Sequence, residues 1–350
     1  MKAQVLYGIN DLKYEENYSL PLLKKGEVLV HVCACGICGS DIDRVTKNGT
    51  YHFPTIIGHE FSGEVIDVYD EENKNLINRR VSIFPLIPCN KCDSCRNGNY
   101  QLCENYNYLG SRCDGGFAEY VAVPSWNLLE IPNGVSFEEA AMLEPCAVAV
   151  HSLNLAGELN GKTVMITGSG TISSILVQVA LSKGAKNVVL LARNNEKMDF
   201  IKSTCSNIYI VNSDEGDLCG VISKLVGALP DIVIEGTGAS EMLSNSINII
   251  KRKGIIVVLG NPANDIFMEK KVFWQILRKE LVVKGTWNSS FNKETKNDWT
   301  EVFDLIVNKK LKLRSLITHK LNLKDLSEGI NLMKSKKELS NKVMVVNYEE

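Results

Sequence analysis

The 350-residue sequence contains no apolar run approaching the roughly 18 residues needed to span a bilayer, so no membrane-spanning segment is expected. It has no excess of charge of either sign: 39 Lys and Arg stand against 41 Asp and Glu, a formal net charge of −2. No global field therefore draws it to nucleic acid or to an anionic membrane. The opening residues, MKAQVLYGINDLKYEE, hold a lysine but no long apolar stretch. A secretory leader is not expected, and a cytoplasmic location is the default reading. No repeat period or low-complexity tract is present.

The remainder is ordinary for a globular chain, with 45% hydrophobic and 23% charged residues. The length exceeds what one hydrophobic core usually serves, so two domains are expected. Cysteine is the outlier, with 11 in the chain. The number is odd, and four lie between positions 89 and 103 with no export signal ahead of them. That clustering points to metal in a reducing compartment rather than to a disulfide framework.

Residues 26–34, 63–69, 80–84 and 117–123 read as short strands separated by Gly, Pro and Asn, which predicts a mostly β N-terminal region. The texture changes near residue 136. SFEEAAMLEPCAVAVHSLNLAG reads as one helix with Ser136 as N-cap. KTVMITGSG, TISSILVQVALSKGA, NVVLLAR and NEKMDFIKSTC then alternate strand and helix, and further strands follow at DIVIEGTG, GIIVVLG and LVVKGTW. This alternation implies βαβ units and a parallel sheet. A helix near 296–309 and a terminal strand, KVMVVNY, complete the chain, and that last strand can rejoin the N-terminal domain.

Four clusters carry chemistry. Cys89, Cys92, Cys95 and Cys103 form CxxCxxCx7C, which can close a tetrahedral thiolate site with no open position for water. Cys38 and His59 offer a soft thiolate and an imidazole suited to zinc, with Glu144 as the best third ligand; three protein ligands leave a catalytic position open. Taken singly, each of these three residues reads equally as core or solvated side chain. Gly168, Gly170, Thr171, Ile172 and Ser173 lie between an apolar strand and a helix, where glycines let backbone N–H groups approach a pyrophosphate. The usual third glycine is Ser173. The next strand ends in Ala192-Arg193, with no acid to bind a ribose 2′-hydroxyl. Arg193 can pair with a 2′-phosphate, favouring NADP over NAD, or stand as a solvated loop residue.

Taken together, CGICGSD, GHEFSG, the four-cysteine lobe, GGFAEY, LEP, the glycine turn, GTG and LG resemble the zinc-containing medium-chain alcohol dehydrogenase family along essentially the whole chain. KNG, PTIIGHEFSG, GSRCDGGFAEY and ILRKELVVKG resemble its polyol and sugar-phosphate branch. The resemblance implies a mostly β GroES-like catalytic domain, residues 1–148 and 290–350, and an α/β Rossmann domain with a doubly wound parallel sheet, residues 149–289. It implies two Zn²⁺ per chain. Cys38, His59 and Glu144 would hold a catalytic ion, with Glu60 beside it; Cys89, Cys92, Cys95 and Cys103 would hold a structural one. Gly168, Gly170, Thr171, Ile172, Arg193 and Gly236 would bind the cofactor, and Ser40 would handle the hydroxyl proton. Many relatives carry a histidine where this chain has Asp43, which leaves the relay beyond Ser40 open.

The implied activity is hydride transfer between a polyol or sugar-phosphate hydroxyl and NAD(P), in a homo-oligomer, dimer or tetramer. Lys47 and Arg112 are the candidate phosphate partners. The alternative substrate is an unphosphorylated secondary alcohol or sorbitol-type polyol. A non-enzymatic nucleotide-binding relative would show a degraded site, and Cys38, Ser40, His59 and Glu144 are all present. The cysteine lobe, NKCDSCRNGNYQLC, has two basic residues, which argues against nucleic acid as a partner.

Overall fold

A computed structural model describes residues 1–205 and 207–348. They divide into two compact units: Met1–Pro145 with Ser290–Val307 and the described residues from Leu313 onward, and Cys146–Ser289 with Asn308–Lys312. No helix among the described residues is long and apolar enough to cross a membrane.

The first unit is built on a seven-stranded sheet. Its path runs Leu128–Glu130, Arg80–Ile83, Glu60–Val68, Glu27–Gly36, Lys342–Val346, Ile317–Leu321, and Tyr120–Pro124 also pairs with Glu27–Gly36. Alternation places Val28, Val30 and Val32 inward, against Phe61 and Val343. The terminal strand does join this unit, with Met344 opposite Gly36 and Val346 opposite Ala34 in antiparallel register. A three-stranded sheet of Asp11–Glu15, Ala3–Gly8 and Thr55–Ile56 lies outside the strands read from the sequence. Asp11–Glu15 carries charge on alternate positions and Thr55–Ile56 is two residues long, whereas Ala3–Gly8 holds a short apolar run, Val5–Tyr7.

The single helix expected from Ser136 is two helices. Ser136 caps the first, Phe137–Ala141, through a reciprocal box with Glu139. The second runs Leu143–Ala156. The physical reason is Pro145, whose ring nitrogen cannot donate to the carbonyl four residues back. Breaking at Met142 puts that proline in a first turn, where no such bond is needed, and puts Glu144 there too.

The second unit holds six parallel strands in the order Tyr209–Asn212, Asn187–Ala192, Thr163–Thr167, Ile232–Glu235, Ile255–Val258, Val282–Gly285. The order reverses at Thr163–Thr167, the signature of a doubly wound Rossmann sheet. Met165, Val189, Val233 and Ile256 form its buried middle, as near-continuous apolar strands covered on both faces require.

Candidate active site

The four-cysteine lobe folds around a short helix, Asp93–Arg96, with Cys92 as its N-cap. All four cysteines are free thiols, and their sulfurs lie within 4.8 Å of one another. Cys92 Sγ is 3.5 Å from Cys95 Sγ and 3.9 Å from Cys103 Sγ. These spacings are too long for disulfides. They match the edge of about 3.8 Å that a tetrahedron with metal–sulfur bonds of about 2.3 Å requires. Backbone N–H groups of Lys91 and Cys92 hold the Cys89 thiol down at about 6, while burial pushes Cys95 up to about 12. The donor set fits a closed zinc site.

The second cluster is created by strand pairing. The Glu27–Gly36 strand runs directly into Cys38, and the Glu60–Val68 strand starts directly after His59. Their antiparallel register sets Gly36 opposite Glu60. A Cβ on Gly36 would lie 2.3 Å from Glu60 Oε2 and would push that carboxylate from its place. As a result the ligand atoms of Cys38, His59 and Glu60 lie within 4.8 Å of one another. Glu144 is buried close by and accepts a hydrogen bond from Tyr108 Oη at 3.3 Å. Burial, reinforced by the charge of Glu60, raises its carboxyl to about 7. One thiol, one imidazole and two carboxylates in a nearly dry pocket make a mixed set that suits zinc and leaves a large charge to be balanced.

Several residues that brace this cluster were not singled out in the sequence. His59 Nδ1 lies 3.4 Å from Asp41 Oδ1, which orients the ring and leaves Nε2 for a metal. Burial alone would raise the Asp41 carboxyl; His59, Arg44 and the Cys38 backbone N–H together hold it at about 2. Arg44 Nη1 donates to Asp41 Oδ1 at 2.7 Å and to Ser40 Oγ at 3.0 Å. Lys342 Nζ donates to Glu60 Oε2 at 2.5 Å. Asp41 stands in the CGICGSD string, but nothing local marks Lys342, whose partner is 282 positions away.

The glycine turn occupies the point where the strand order reverses. Gly168 follows the Thr163–Thr167 strand with φ of 92°, a conformation that favours glycine. Gly170 caps the helix Thr171–Ser182, and a Cβ placed on it would meet nothing within 4 Å, so the helix N-terminus is open to a ligand. Ser173, in the place of the third glycine, is buried. Just past the adjoining strand Ile232–Glu235, Gly236 would meet Thr167 O at 2.9 Å if it bore a Cβ. The buried Glu235 holds this loop by accepting from Thr167 Oγ1, Thr237 N and Gly238 N. Arg193 is exposed just past Ala192, with no ion-pair partner among the described residues.

Neither phosphate candidate has a bare charge. Lys47 pairs with Asp43 at 3.0 Å on an exposed face. The Arg112 guanidinium lies over Tyr51 at 4.1 Å and Tyr106 at 4.4 Å and donates to Tyr51 Oη at 3.1 Å.

Residues 24–133 match the alcohol dehydrogenase GroES-like domain, and residues 171–308 match the zinc-binding dehydrogenase domain. The chain is 31% identical to galactitol 1-phosphate 5-dehydrogenase of Escherichia coli (strain K12), over 89% of this chain and 90% of that one. It is 30% identical to sorbitol dehydrogenase of Halalkalibacterium halodurans, over 90% of each. A zinc-binding dehydrogenase from Sinorhizobium meliloti 1021, solved bound to NADP, superposes with a TM-score of 0.88 at 29% identity, covering 99% of both chains. The chain belongs to the zinc-containing medium-chain alcohol dehydrogenase family and is an oxidoreductase of that family.

Proposed function

We propose that this enzyme oxidises a secondary hydroxyl of a polyol or sugar phosphate resembling galactitol 1-phosphate, with NADP preferred over NAD. The observation that carries the reading is the convergence of Cys38, His59 and Glu60, with Glu144 beside them, on one buried point. A zinc ion there would supply Lewis acidity to the substrate oxygen, and the nicotinamide would supply the hydride acceptor. Cys38, His59 and Glu144 are the proposed ligands of that ion, and Glu60 is held beside it by Lys342. Cys89, Cys92, Cys95 and Cys103 are the proposed ligands of a second, structural ion.

Ser40, two residues beyond Cys38, is the group that accepts and passes on the hydroxyl proton. Gly168, Gly170, Thr171 and Ile172 present backbone to the cofactor phosphates, Gly236 lines the neighbouring turn, and Arg193 meets a 2′-phosphate. Catalytic residues belong to segments 1–148 and 290–350, and cofactor residues to 149–289. Arg112, already oriented by two tyrosines, favours a phosphorylated substrate. The 30% identity to a sorbitol dehydrogenase supports the unphosphorylated alternative.

A homo-oligomer is also proposed. The edge strand Val282–Gly285 is exposed along its length, and Phe273, Trp274 and Leu277 are exposed on the preceding helix. A bare apolar edge of this kind suits pairing with a second copy. Light scattering of the wild type and of Val283→Lys tests this: an oligomer that dissociates in the variant is expected, and a monomeric wild type refutes it.

The functional test measures initial rates with NAD and NADP on galactitol 1-phosphate and free sorbitol, before and after zinc chelation. Chelator-sensitive turnover of the phosphorylated polyol is expected. Turnover of sorbitol alone keeps the chemistry and discards the phosphate, whereas no zinc-dependent turnover of any alcohol overturns the reading.

A further inference from the structure

We propose that Arg44 is a positioning residue of this site, tying the Ser40 hydroxyl to the Asp41–His59 pair through one guanidinium nitrogen; the proposal rests on the reading of Ser40 as the proton-handling group. Arg44 follows directly on the short helix Gly39–Asp43, and its side chain is 19% exposed. Nη1 stands 3.0 Å from Ser40 Oγ, 2.7 Å from Asp41 Oδ1 and 3.3 Å from His59 Nδ1. Asp41 in turn accepts from the Cys38 backbone N–H through Oδ2 at 3.0 Å. One cation thus touches the hydroxyl, the residue that orients His59 and, through that residue, the backbone of Cys38.

A guanidinium keeps its proton at any working pH, so Arg44 can donate but cannot accept. That excludes it as a member of a proton chain and leaves positioning. Its bond to Ser40 occupies one lone pair of Oγ. The hydroxyl then retains one free lone pair and its own O–H, both directed away from Arg44. A proton arriving on the free lone pair is balanced by departure of the hydroxyl proton to water, and Arg44 exchanges none. Asp43 does not compete for this task, because its carboxylate faces Lys47. Without Arg44, the Ser40 side chain is released to other staggered rotamers and Asp41 loses a partner in a dry environment.

The test uses the full-length metal-loaded protein with Arg44→Met, Arg44→Ala and Arg44→Lys. Metal affinity, read by competition with a chromophoric chelator, should fall on the order of 10–100-fold in Arg44→Met, as when the support of a ligand is lost. With metal saturating, kcat should fall about 10–100-fold and KM much less. In Arg44→Ala, which leaves the room that methionine would fill, millimolar guanidinium should restore part of the lost kcat, which a general packing defect would not allow. Arg44→Lys, keeping the charge but not the fork, should lie between.

Metal affinity and metal-saturated kcat within twofold of wild type would overturn the proposal. So would a kcat loss in Arg44→Ala, at unchanged metal affinity, that guanidinium does not relieve. Should Arg44→Met fail to fold, Arg44→Lys decides on the same two readouts, wild-type values overturning the proposal. An inactive wild type refutes the reading of the function instead, and the metal-affinity arm still judges Arg44.

Discussion

Lys342 and Glu60 form a buried ion pair, each 2% exposed, with Nζ also donating to Ile37 O at 3.2 Å. The terminal strand therefore delivers a fixed cation beside the proposed metal ligands. Replacing Lys342 with Met leaves Glu60 buried without its partner, a change worth on the order of 3–5 kcal/mol. Urea unfolding of Lys342→Met should show that loss in metal-stripped protein and a smaller one with zinc bound. Adding Glu60→Gln should recover much of it; a single variant as stable as wild type in both states would remove the charge argument.

Cys38→Ser should lose turnover while nicotinamide binding, followed by cofactor fluorescence, stays close to wild type. The thiolate belongs to the proposed metal-ligand cluster in the first unit, whereas the glycine turn lies in the second. More than a small residual activity would refute Cys38 as a ligand.

Cys95→Ser should lower the bound zinc by one equivalent per chain and leave the ion at Cys38 in place. Three remaining sulfurs cannot close a tetrahedral thiolate site. Metal analysis after exhaustive dialysis checks this, and one equivalent in both wild type and variant would show that the lobe holds none.

Arg193→Ala should raise the KM for NADP about 10–100-fold, matching the roughly 1.5–3 kcal/mol of a charged hydrogen bond, with NAD use little altered. Equal NADP kinetics in both proteins would discard the 2′-phosphate role.

Glu138, which is not among the proposed metal ligands, gives a pH signature. Burial would raise its carboxyl, but Lys320 Nζ at 2.6 Å and Tyr348 Oη at 2.7 Å outweigh this and hold it at about 2, below its ordinary 4.5. A depressed folded-state value means stability that is present above about 4.5 and lost as pH falls toward 2. Glu138→Gln should therefore be less stable than wild type at pH 7, and the gap in urea midpoint should narrow below pH 4.5. A gap that is constant with pH would show that the carboxylate charge is not its source.

Much of this architecture was legible before any coordinates. The cysteine lobe is local, with its four thiols a few residues apart, and the glycine turn lies between an apolar strand and a helix. Alternating valines revealed the Glu27–Gly36 strand, and an N-cap serine marked the helix start at 137. What stayed hidden depends on partners distant in sequence. Arg44 reads as an ordinary surface charge until strand pairing brings His59 beside it, and Lys342 until its strand lies against Gly36. The split at Met142 was obscured because apolar periodicity continues across it; Pro145 was the available signal.

The antiparallel pairing of Ala34 and Gly36 with Val346 and Met344 also bears on how the protein is made. During synthesis the first of these segments leaves the ribosome about three hundred residues before the second. At about 5–20 residues per second, that interval is roughly 15–60 s. Throughout it, the Ala34–Gly36 end of that strand stands as an open template for mispairing. The second unit can mature meanwhile, because all but a five-residue piece of it is one continuous stretch. Lys342 is thus the last side chain to arrive beside the proposed metal ligands, and the nascent chain needs shielding longest at the strand that leads into Cys38.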